Sequence, residues 1–143
     1  MSSELVLDEL TGRGSAGSIA VTAEGGTVTT NLQQGLCKAW VDYTGGTTTV
    51  NDSFNVTGVT DNSAGDVTLT WANDAANAFY QFSWVGTGTA ADSAGYGFNF
   101  ASHGTDSATL KAAGSHRFVT GYPANSATVD VEMAAYSWNG DLA

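Results

Sequence analysis

Imidazoles, thiols and carboxylates are the side chains that move protons, attack carbonyls or hold metals near neutral pH. This chain offers two histidines, one cysteine and 14 acidic residues. A zinc site needs several His, Cys or carboxylate ligands at close spacing. His103 and His116 stand in different segments, with no cysteine or second histidine near either, and both read as surface or loop residues. Serines are plentiful, yet no G-x-S-x-G elbow marks one as a nucleophile, and no Ser-His-Asp triad is assigned. Cys37 lies beside Lys38, whose charge would favour a thiolate, but it reads as a small buried thiol at the mouth of the first core strand.

The remaining candidates concern binding. Residues 61–66, DNSAGD, space oxygen ligands as a calcium loop does, but the carboxylate that closes such a loop at its twelfth position is replaced by Ala72. A hairpin turn between Val59 and Val67 accounts for the same residues. Paired carboxylates for glycoside hydrolysis cannot be placed across a cleft from sequence, and no phosphate-cradling glycine loop precedes a helical pattern. No catalytic residue, metal site or cofactor is assigned, and the chain reads as non-enzymatic. Tyr and Trp faces can stack on sugar rings. Of the aromatics, Tyr122, Tyr136 and Trp138 lie off the best-defined apolar stripes and are the candidates for exposed contact.

Charge narrows the choice of partner. The formal net charge is −10, and no Lys or Arg occurs between Lys38 and Lys111. Phosphate backbones are bound through Lys and Arg, so four basic residues in 143 argue against nucleic acid. A single cysteine excludes an intramolecular disulfide, and MSSELVLDEL has neither the basic start nor the apolar run of a signal peptide. Synthesis in a cytoplasm is expected, without membrane insertion. The sequons at Asn51 and Asn55 then read as strand and turn chemistry.

The elements that must position these groups are strands. Every aromatic residue lies between Trp40 and Trp138, and from residue 38 onward the apolar period is two. Four stripes stand out: Val67, Leu69 and Trp71; Tyr80, Phe82 and Trp84; Tyr96, Phe98 and Phe100; and Val129, Val131 and Met133. Residues 38–43, 51–60 and 116–120 are further strands, and residues 86–97, GTGTAADSAGYG, form the longest expected loop. One polar face per strand predicts an all-β antiparallel β-sandwich, jelly-roll or immunoglobulin-like, over residues 37–143. Residues 1–36 carry only scattered aliphatics and read as an extended N-terminal arm that needs a partner. Ile19, Val21, Val28 and Leu32 are its expected anchoring and oligomer contacts. No heptads or helical period of useful length occur, so any oligomer must use β-structure.

Two stretches carry a family resemblance. LTGRGSAGSIAVTAEGGTVTTNLQQGLCKAWVDYTGG (10–46) and DSFNVTGVTDNSAGDVTLTW (52–71) resemble tailed-bacteriophage structural proteins of the marine phage type, usually described as tail fibre or virion protein. The pattern often has a basic residue just before D-S-F-N, where this chain has Asn51, and nothing from residue 73 onward matches it. The resemblance implies a virion structural protein on the particle exterior, as a fibre-like appendage or a capsid decoration protein. It implies a homotrimer and contacts with capsid or tail proteins. The alternative is a carbohydrate-binding adhesin module whose partner is a host surface glycan.

Overall fold

The computed structural model describes residues 4–14, 19–22, 26–88, 99–101, 111–121 and 128–143. It is an all-β sandwich of two four-stranded antiparallel sheets, preceded by a small hairpin. Strands β1 (Ala20–Thr22) and β2 (Thr29–Asn31) form a two-stranded antiparallel sheet. A single helical turn, α1 (Leu32–Gly35), follows, capped by the Asn31 side chain, which accepts from the Gln34 N–H. It is too short to leave a helical period in the sequence.

The first sheet has the order β4-β3-β10-β7 and the second β5-β6-β9-β8. Their strands are β3 (Cys37–Thr44), β4 (Thr49–Phe54), β5 (Val56–Ser63), β6 (Asp66–Trp71), β7 (Gln81–Thr87), β8 (Asn99–Ala101), β9 (Ser115–Gly121) and β10 (Met133–Asn139). The first and last strands of the sandwich are therefore neighbours, and Cys37 pairs with Asn139.

Alternation explains which faces meet. Ala39, Val41 and Tyr43 of β3, Val67, Leu69 and Trp71 of β6, and Ala134, Tyr136 and Trp138 of β10 all point into one core, with Phe82 and Trp84 packed against it. Tyr136 sits at its centre, near-parallel to Trp71, Phe82 and Phe118 at centroid distances of 5.7, 5.7 and 5.9 Å. Such offset ring pairs add to the large apolar area that each ring removes from water.

The expected stripe of Val129, Val131 and Met133 is corrected. Val131 is buried, but Met133 opens β10 facing solvent, and the strand runs on in the opposite phase. Both phases cannot face inward, and two large rings outweigh one methionine. The expected strand over 51–60 is two strands, broken at Asn55, whose φ of 56° lies in the left-handed region. There the chain leaves the first sheet for the second. The Asn55 amide donates to the carbonyls of Lys38 and Asn73, and its oxygen accepts from the Asn73 backbone N–H at 2.7 Å.

Residues 61–66 form the expected hairpin, with Ala64 and Gly65 as the turn between Ser63 and Asp66. Gly65 has φ 70°, and a Cβ there would lie 2.5 Å from the Thr120 carbonyl oxygen. Tyr96 and Phe98, and most of the expected 86–97 loop, lie outside the described residues.

Candidate functional site

Of the expected contact aromatics, Tyr136 and Trp138 are corrected: they are 2 % and 0 % exposed and hold the core together. They sit on the inward phase of β10, which the misphased stripe concealed. Tyr122 and His103 lie outside the described residues. His116 is likewise no surface residue. It is buried on β9, shares a 2.8 Å hydrogen bond with the Tyr136 hydroxyl, and packs 4.7 Å from the Phe82 ring centroid. Burial, helped by the charge of Lys111, lowers its pKa to about 4, and burial pushes the Tyr80 and Tyr136 hydroxyls well above the usual phenol range. His116 and Tyr136 are buried between the sheets, each 2 % exposed.

Cys37 is also corrected, since it is exposed, with Sγ 3.1 Å from the Ala39 carbonyl oxygen. Lys38 is the buried member of the two. Its ammonium donates to the Gln33 carbonyl, and desolvation lowers its pKa against the opposing pull of Asp141. In the 61–66 hairpin the Asp66 carboxylate is held by Arg117 in a two-pronged pair of 2.8 and 2.6 Å, with Asn62 donating to the same group. Asp130 accepts from the Gly65 N–H at 2.7 Å. These bonds close the hairpin against β9 and leave a carboxylate already paired with a cation. Among the described residues no three His, Cys, Asp or Glu side chains converge to hold a metal.

The arm residues fall as follows. Val21 and Val28 are exposed, the latter at 73 %, and Ile19 and Leu32 are half-buried. The Leu32 N–H donates to the Ile19 carbonyl at 2.9 Å, so these two meet through backbone.

What the structure does build is an open groove of about 310 Å³ on the outer face of the first sheet. The alternation that buries Ala39, Val41 and Tyr43 turns Trp40 and Asp42 outward. Trp40 is 37 % exposed, and no described ring stacks on it. Register places Ser137 beside Trp40 and Ser83 beside Ser137, while the next row runs from Asp52 through Asp42 and Ala135 to Val85. Asn51 donates to one Asp42 oxygen at 2.7 Å, which orients the carboxylate without neutralising it. The groove thus joins an indole plane to carboxylate, hydroxyl and apolar groups, with the exposed Phe54 paired beside Trp40, and no Lys or Arg lines it. A second, more polar cleft of about 400 Å³ lies where α1 meets the end of β10, with Gln34, Phe79 and Asp141 at its edge.

The outward direction of Trp40 follows from alternation once Ala39, Val41 and Tyr43 are known to be core, which the period alone does not settle. The class that fold and face define is an all-β sandwich with one solvent-open aromatic sheet face. No protein-family model, no curated protein and no solved structure matches the chain.

Proposed function

We propose that the chain is a non-enzymatic structural protein of a bacteriophage particle, displayed on the exterior as a fibre-like appendage or a capsid decoration protein and anchored by its N-terminal arm. The observation that carries this reading is the contrast between arm and sandwich. The sandwich closes a core of its own, while Leu5, Val6, Leu10, Val21 and Val28 of the arm remain exposed in the single chain. Apolar side chains left in water over a segment whose described regular structure is a hairpin of two three-residue strands and one helical turn find their free energy in a partner surface. The sequence resemblance to phage structural proteins points the same way. Deleting residues 2–36 is expected to leave a soluble β-domain that no longer incorporates into particles, measured by immunogold labelling of purified virions. Normal incorporation of the truncated protein removes the anchor assignment. A second reading, a carbohydrate-binding adhesin, draws on the exposed indole of Trp40 and the polar groups around it.

A further inference from the structure

We propose that the outer face of the β4-β3-β10-β7 sheet, centred on Trp40, binds a neutral glycan, one hexose ring lying against the indole. The inference rests on the adhesin reading, and is independent of how the protein is held on a particle. Apolar C–H faces of a pyranose match an aromatic plane, while its hydroxyls need hydrogen-bond partners arranged around that plane. Trp40 supplies the plane, and its indole N–H has no partner among the described residues. The second Asp42 oxygen is also without one, since Asn51 takes only the first. Ser137 and Ser83 continue the polar row across two further strands, so that row spans about 10 Å at ordinary strand spacing, room for a disaccharide. The groove volume of about 310 Å³ stands at the low end of small-ligand clefts.

Charge selects among glycans. Asp42 and Asp52 face each other across β3 and β4, and the chain carries −10 overall, so acceptors are abundant and anions are repelled. Hydroxyl-rich neutral sugars fit this rim, whereas sialylated or sulfated ones do not. A protein partner through the same face would require Trp40 to enter an apolar interface that brings Asp42 and Asp52 along, a costly burial of charge.

The test is NMR titration of the full chain with neutral gluco-, galacto-, manno- and N-acetylglucosamine oligosaccharides, with a sialylated oligosaccharide as the anionic control. Shifts confined to β3, β7 and β10 are expected with at least one neutral sugar and not with the sialylated one. Trp40→Ala is expected to weaken binding about tenfold or more, Asp42→Asn to weaken it less, and Phe79→Ala to leave it unchanged. Thermal melts identify a variant that has lost its fold, in which case Asp42→Asn decides. Silence with every neutral sugar, unchanged binding by both face variants, or preference for the sialylated ligand overturns the proposal. So does a Trp40-dependent self-association in sedimentation, which would make the face a contact between copies. Failure of the truncated arm to matter for incorporation leaves this proposal untouched.

Discussion

At the scale of single residues, the buried His116 is the clearest source of pH dependence. Its folded pKa of about 4 lies below the ordinary value of 6.5, so the unfolded chain binds a proton that the native state refuses. Stability from this group is complete above pH 6.5 and is lost as pH falls toward 4, by up to about 3 kcal/mol at 1.36 kcal/mol per pH unit. His116→Gln, which keeps a polar group opposite the Tyr136 hydroxyl, is expected to shrink the drop in melting temperature between pH 7 and pH 4.5. An unchanged drop would assign the acid sensitivity to groups other than His116. Trp138 illustrates the opposite lesson. Truncating a fully buried indole costs about 3–5 kcal/mol, so loss of binding in such a variant would report a damaged fold, not a missing contact.

At the scale of elements, the corner between β4 and β5 is the most demanding piece of local structure. Asn55 tolerates the left-handed conformation better than most residues, and its amide also ties that corner to Lys38 and Asn73. Asn55→Ala is expected to destabilise by about 2 kcal/mol through strain and lost bonds together, and Asn55→Gly by less because it keeps the backbone freedom. Denaturant midpoints of the two variants check this, and equal midpoints would show that the side-chain bonds dominate. The corner was not legible in the sequence, because strand alternation on either side of an asparagine looks the same whether the chain continues or turns. The β6 stripe was legible, since Val67, Leu69 and Trp71 alternate with Asp66, Thr68 and Thr70 and one phase carries all the large apolar side chains. Around β10 the sequence holds two competing phases, and period alone could not choose between Val129 and Met133 on one side and Ala134, Tyr136 and Trp138 on the other. The candidate face suffered the same fate: Trp40 was found as an aromatic, but its outward direction follows only once its neighbours are known to be core.

At the scale of the whole molecule, charge opposes self-association while the arm favours it. We propose a homotrimer in which Ile19, Val21, Val28 and Leu32 are covered by neighbouring copies, through strand-like contacts. Three chains at −10 repel one another, and that repulsion is screened within about 10 Å at 0.1 M salt. Sedimentation is expected to show a trimer that tightens as ionic strength rises from low to moderate values. A monomer at every salt and concentration would remove the trimer and leave an arm that orders only on another particle protein.

The placement of β3 has a mechanical consequence. The arm enters the sandwich through a strand that is hydrogen-bonded on both sides, to β4 and to β10, along most of its length. A tether that pulls on Cys37 along the strand, against drag on the far end of the sandwich, loads both ladders in shear, with many hydrogen bonds resisting at once. Had the arm continued into β4, at the sheet edge, half of that resistance would be missing. Under the proposed anchoring by the arm, routing it into the interior of the sheet suits a domain that must stay attached under flow.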